Sequence, residues 1–151
     1  MVINELDDLY REAILDHSRN PRNSDEVKDA DITGDAVNPF CGDEIHLQIR
    51  LNDGGRVEHI GLQGVGCSIN QATGSMITKA VKGKTLEEIE TVSTLFKNMM
   101  RGHSPTEEEV AELGELESLS SVQQFPVRIK CALLAWSALD DSIEEYRKKR
   151  K

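Results

Sequence analysis

No apolar run in this chain approaches the roughly 20 residues needed to cross a bilayer. Its beginning also lacks a basic segment followed by an apolar stretch. A soluble, cytoplasmic protein that keeps its N-terminus is therefore expected. Aromatic residues are scarce, at 4%, so aliphatic side chains must build the core, and a stacking platform for single-stranded nucleic acid is not expected. Bases are scarce as well: 18 Lys and Arg stand against 27 Asp and Glu, a net of −9, and the last five residues hold five of those bases. The remainder carries 13 bases and 27 acids, a balance of −14. A body so acidic argues against general binding to nucleic acid or an anionic membrane, since both need a basic footprint. No internal repeat, low-complexity stretch or linker interrupts the 151 residues, so residues 1–151 read as a single domain large enough for a real core.

Cysteine is the most informative scarcity. There are three, Cys41, Cys67 and Cys131. An odd number cannot be used up in intramolecular disulfides, and in a reducing compartment free or metal-bound thiols are the default.

The pattern along the chain predicts an α+β fold, a small antiparallel three-stranded sheet packed against several helices. Residues 4–18 read as a helix with Asn4 as N-cap and Leu6, Leu9, Tyr10, Ala13, Ile14 and His17 on one face, stopped at Asn20-Pro21. Residues 22–31 read as loop and residues 33–37 as a short strand. Ile45, Leu47, Ile49 and Leu51 alternate with Glu44, His46, Gln48 and Arg50, the mark of a strand with one buried face. Asn52-Asp53-Gly54-Gly55 turns the chain into a returning strand over residues 56–63. There the apolar phase shifts between Val57 and Ile60, which predicts a β-bulge near Glu58-His59.

From residue 66 the period becomes helical. Ile69, Ala72, Thr73, Met76, Ile77, Ala80 and Val81 mark a helix that Gly83 can end. Thr85 with Glu88 opens another, with Leu86, Ile89, Val92, Phe96 and Met99 inward. Ser104-Pro105-Thr106-Glu107 reads as N-cap, N1 proline and N3 acid of a short helix broken by Gly114. Pro126 starts the last helix, with Cys131, Leu134, Ala135, Leu139, Ile143 and Tyr146 inward. The four histidines read as surface or capping residues. Glu107-Glu108-Glu109 reads as a solvated helical turn or a partner-docking patch. The Met99-Met100 pair reads as core, and the basic tail as a set of cations at a helix C-terminus.

The cysteines occupy telling places. Cys41 lies in the turn Asn38-Pro39-Phe40-Cys41-Gly42-Asp43, Cys67 ends the Gly-rich run that precedes a helix, and Cys131 follows Arg128 and Lys130. A helix N-terminus and flanking bases both favour a thiolate, so Cys67 and Cys131 are expected to be poised in that form. Asp43 follows Cys41 across one glycine, so both can reach one point. Three thiolates and one carboxylate, formally −4, make a tetrahedral shell suited to zinc or iron. A divalent metal leaves −2, which Arg128 and Lys130 could offset. Spacing alone leaves a second reading open, three small buried hydrophobes, because intervals of 25 and 63 residues match no short zinc motif.

The segments Asn-Pro-x-Cys-Gly-Asp at 38–43, Gly-x-Gly-Cys-Ser-Ile at 64–69 and Pro-Val-Arg-Ile-Lys-Cys-Ala-Leu-Leu-Ala-Trp at 126–136 resemble the IscU/SufU family of iron–sulfur cluster assembly proteins. The resemblance runs from the first helix to about Tyr146 and implies the same α+β fold. It also implies that Cys41, Cys67 and Cys131 carry the sulfur and metal chemistry beside Asp43. IscU-type members place His before the third cysteine, where this chain has Lys130, and the stretch around residues 101–117 resembles SufU-type members. A SufU-type protein implies zinc held by Cys41, Asp43, Cys67 and Cys131. It further implies Cys41 as acceptor of persulfide sulfur from a SufS-like cysteine desulfurase, and a downstream cluster-assembly scaffold as recipient. Arg128 would contact the partner or the zinc shell. An IscU-type protein instead implies a [2Fe–2S] cluster, or iron, on Cys41, Cys67 and Cys131. A purely structural zinc module is the reading from another class.

Overall fold

In the computed structural model, residues 5–38 and 42–149 are described, with side chains from Glu12 onward. The Asn4 cap, the side chains of Leu6, Leu9 and Tyr10, Cys41 with Pro39 and Phe40, and Arg150-Lys151 lie outside the described residues.

Helix α1 (Glu5–Arg19) precedes three strands, β1 (Ile32–Asn38), β2 (Asp43–Leu51) and β3 (Val57–Val65). They form one antiparallel sheet in the order β1-β2-β3. The alternation in β2 does what its period demands: Ile45, Leu47 and Ile49 are buried while Glu44, His46, Gln48 and Arg50 are half-buried on the other face. The register runs Arg50 to His59 and then Leu51 to Val57, so Glu58 is the extra residue and the bulge falls where the phase shift predicts it.

Four α-helices and a 3-10 segment follow: α2 (Ser68–Val81), α3 (Leu86–Met100), α4 (Glu107–Leu113), the 3-10 segment (Gly114–Gln124) and α5 (Pro126–Lys149). Helix α5 lies across β1 and β2 and α2 lies against β3, so the two cover the apolar face of the sheet; α1 packs on α2. The sheet side chains Ile32, Ile45, Leu47, Ile49, Ile60 and Leu62 meet Met76, Ile77, Ala135 and Leu139 in one core. Phe96 and Trp136 add an aromatic contact, with ring centroids 5.7 Å apart. Met99 and Met100 are buried in the core, as expected.

Two local expectations are corrected. The N-cap of α4 is Thr106, not Ser104. Thr106 and Glu109 make both reciprocal bonds of a capping box, Thr106 N–H to Glu109 Oε1 at 2.9 Å and Glu109 N–H to Thr106 Oγ1 at 3.2 Å. Both Ser104 and Thr106 have a glutamate three residues on, and the satisfied pair sets the start. His17 is buried rather than on the surface or at a cap, at 1% exposure. Its Nδ1 pairs with Ser75 Oγ at 2.8 Å and its Nε2 with the Glu115 carboxylate, tying α1 to α2 and the 3-10 segment.

Candidate metal centre

The pleat of β2 decides the position of Asp43. It shares the parity of Ile45, Leu47 and Ile49, so it points to the face that α2 and α5 cover, and it is fully buried. Asp43 pairs with Asn38 in the last rung of the β1–β2 ladder, and the Gly42 N–H closes back on Asn38 O at 2.9 Å. Cys41 belongs to the stretch between them and lies outside the described residues.

Cys67 arrives from the neighbouring strand. After β3 ends at Val65, the chain turns through Gly66 at φ +126° and enters α2 with Cys67 as N-cap. The thiol makes no capping bond. Instead the Cys67 N–H donates to Asp43 Oδ1 at 2.9 Å and its thiol to Oδ2 at 3.5 Å. These contacts offset part of the cost of taking the carboxylate out of water. Cys131 completes the group from the inward face of α5, fully buried. The ligand atoms of Asp43, Cys67 and Cys131 lie within 4.8 Å of one another.

Three of the four predicted ligands, Asp43, Cys67 and Cys131, therefore converge from three separate elements, so the two thiols are not scattered through the core. The donors suit zinc. Around a tetrahedral ion with Zn–S near ~2.3 Å, neighbouring sulfurs sit roughly 3.8 Å apart, inside the 4.8 Å span of these ligand atoms. Gly66 is part of the fit: a Cβ there would lie 1.9 Å from Asp43 Oδ1.

The expectation of a poised thiolate is overturned at Cys131. Burial pushes that thiol far above its ordinary range, and hydrogen bonding to Asp43 and Cys67 with their charges pushes it further. Without a cation, Cys131 keeps its proton. Arg128 is exposed one turn earlier and faces both sulfurs; hydrogen bonding to Cys131, then the charge of Cys67, holds the guanidinium proton more tightly than usual. Lys130 is exposed. The other histidines lie apart from the group: His46 pairs with Asp35 at 2.5 Å on the outer sheet face and His103 with Glu109 at 3.2 Å.

Two contributors are not among the residues singled out for the site. Gly66 belongs to the Gly-x-Gly-Cys-Ser-Ile segment, but its clearance under Asp43 is a tertiary fact. Asn70, in the first turn of α2, is a fully buried polar residue among Thr73, Gly74 and Ile77. A polar residue at an inward helical position is the signal that marks it.

A family model described as NifU-like N terminal domain matches residues 9–151. The chain belongs to the NifU-like N-terminal domain family. Across 138 residues it is 45% identical to the zinc-dependent sulfurtransferase SufU of Bacillus subtilis, covering 91% of each chain. Across 144 residues it is 38% identical to the iron–sulfur cluster assembly scaffold protein IscU of Streptococcus pyogenes, covering 95% of this chain and 88% of that one. A crystal structure from Fervidobacterium islandicum, assigned as a cluster assembly scaffold for the SUF system, superposes with a TM-score of 0.80 at 29% identity. It covers 87% of this chain and 93% of the other. The α+β architecture expected from the sequence is the architecture of this NifU-like, SufU- and IscU-related group. No described helix is long and apolar enough to cross a membrane.

Proposed function

We propose that this protein works in iron–sulfur cluster biogenesis as a zinc-dependent sulfur acceptor, taking persulfide sulfur from a SufS-like cysteine desulfurase and passing it to a cluster-assembly scaffold. The observation that carries the reading is the convergence of a buried carboxylate and two thiols, within 4.8 Å, at one end of the sheet. The 45% identity to a zinc-dependent sulfurtransferase supports the choice of metal.

In this reading Cys41, Asp43, Cys67 and Cys131 hold zinc, and Cys41 carries sulfur. When bound, zinc supplies a positive charge that keeps the thiols deprotonated near neutral pH. Cys131 and Asp43 are the anchored ligands, because both are fully buried on packed elements. The acceptor must be the thiol that can leave, and Cys41 lies in the Pro- and Gly-containing run Asn38-Pro39-Phe40-Cys41-Gly42-Asp43, whose sequence reads as a turn. Its thiolate attacks the terminal sulfur of the desulfurase persulfide. The S–S bond there breaks, the desulfurase cysteine departs as thiolate, and Cys41 retains a persulfide, with no net oxidation. Arg128, exposed beside the sulfurs, is positioned to meet an anionic group of the partner.

Zinc analysis, desulfurase turnover and mass spectrometry of Cys41 test this. Wild type should hold about one zinc per chain, raise turnover and gain sulfur on Cys41. Full stimulation by Cys41→Ala overturns the role of Cys41. The second reading, a scaffold for a [2Fe–2S] cluster, is favoured by the 38% identity to an IscU scaffold and by the presence of a carboxylate among the ligands, a weaker partner for iron than thiolate. Anaerobic reconstitution separates the two: a stable cluster transferred to an apo-acceptor supports the scaffold, whereas zinc that iron does not displace supports sulfur transfer.

A further inference from the structure

We infer that Asn70 is a positioning residue for the metal centre, holding Asp43 and Cys67 in register through their neighbours' carbonyls. Its side-chain amide donates to Glu44 O at 3.3 Å and to Val65 O at 3.1 Å. Glu44 and Val65 are partners in the last rung of the β2–β3 ladder. Glu44 directly follows Asp43, and Val65 lies two residues before Cys67. A closed ring results: the Asn70 amide grips Glu44, the Asp43 carboxylate accepts from the Cys67 N–H at 2.9 Å, and the first turn of α2 returns to Asn70. Gln71 adds a parallel tie, from Nε2 to Gly66 O at 2.9 Å.

The chemistry selects asparagine. Two carbonyls at a sheet end are met by two donors from one short side chain, which an amide supplies. The two acceptors, both served by Nδ2, also set the amide orientation, since a flipped amide would turn its own oxygen toward both. Asn70 is fully buried, and its Oδ1 has no partner among the described residues. The fold thus tolerates an orphan acceptor to keep those two donors, as expected where geometry rather than stability is being served.

The inference rests on the zinc reading above for its effect on function, so its test also has a metal-free arm. Asn70→Ala, Asn70→Ser and Asn70→Asp are compared with Ile89→Val, a buried α3 change near the opposite end of the sheet, in three assays. Zinc affinity by chelator competition should fall about tenfold or more in Asn70→Ala, further in Asn70→Asp, where a carboxylate meets two carbonyls, and less in Asn70→Ser. The ligand-field bands of the cobalt form should shift in the same order. In metal-free protein, alkylation of Cys67, followed by peptide mass spectrometry, should speed up several-fold as the thiol leaves Asp43. Ile89→Val should lower the melting temperature and change none of these. If Asn70→Ala matches Ile89→Val in all three assays, the inference is overturned. Should Asn70→Ala not fold, Asn70→Ser decides by the same criteria. If wild type binds no zinc, the zinc reading fails while the alkylation arm still judges Asn70.

Discussion

Gly66 lies so close beneath Asp43 that a methyl group on its Cα would sit 1.9 Å from Oδ1 and 2.8 Å from Cγ of the carboxylate. Its φ of +126° is itself a conformation that L side chains avoid. Gly66→Ala should therefore lower stability by about 2–4 kcal/mol and weaken zinc binding about tenfold or more. Gly83→Ala is the control, with φ +84° but open space at its Cβ. It should cost about 1 kcal/mol and leave zinc untouched. Denaturant melts and chelator competition read both effects.

Asp43→Asn keeps the shape of the carboxylate and an acceptor for the Cys67 N–H but removes the charge. Zinc affinity should fall about tenfold or more, while the metal-free protein melts close to wild type. A variant that binds zinc as tightly as wild type would show that the carboxylate is a packing group and not a ligand.

Cys131 sets a pH dependence. Its folded-state pKa is raised by burial above the ordinary value of 9.0, so the folded chain retains a proton that the unfolded chain releases. Stability from this group is present below about pH 9 and is lost as pH rises, by up to ~1.4 kcal/mol per unit. Metal-free protein should lose stability between about pH 9 and pH 11, and Cys131→Ala should flatten that limb. Zinc affinity should rise steeply with pH, since binding must expel this proton. Melts of metal-free protein and zinc titrations across pH check the two signs.

His17 is a buried staple with distant partners. His17→Ala removes a filled site and leaves Ser75 Oγ with one partner fewer, so the loss should be about 2–4 kcal/mol, and hydrogen exchange should rise throughout α1. The Lys79 ammonium, and after it His17, hold the Glu115 carboxyl below its ordinary value against the cost of burial. That contribution is present above about pH 4.5 and fades as the pH falls through the lowered value. Glu115 is 48% exposed, so solvent screening keeps its share small. Glu115→Gln should make the acid limb of the stability curve shallower.

Much of the fold was legible because its signals are local. The alternation in β2, the Asn-Asp-Gly-Gly turn, the phase shift at Glu58 and the Thr85 cap each speak within a few residues, and each element forms where those signals place it. The 3-10 segment shows at neither the strand period nor the α-helical one. Leu116, Leu119 and Val122 are buried at every third residue, the period at which 3-10 side chains eclipse, which neither 2 nor 3.6 matches. The burial of His17 is illegible for the opposite reason. Its partners Ser75 and Glu115 lie 58 and 98 residues away, beyond any local pattern.

By itself the sequence determined which atoms are available: three thiols, one carboxylate beside the first of them, and the bases around the third. Asp43 faces inward because β2 begins there, one residue before the alternation marked in the sequence, with the parity of Ile45. Only the tertiary structure decided that Asp43, Cys67 and Cys131 share one place. That convergence depends on the β2–β3 register and on α5 lying across β1 and β2, contacts between residues far apart in the chain that exist only once the core has formed. The same burial decided the proton on Cys131. Flanking bases argued for a thiolate, and desolvation by the packed interior outweighed them.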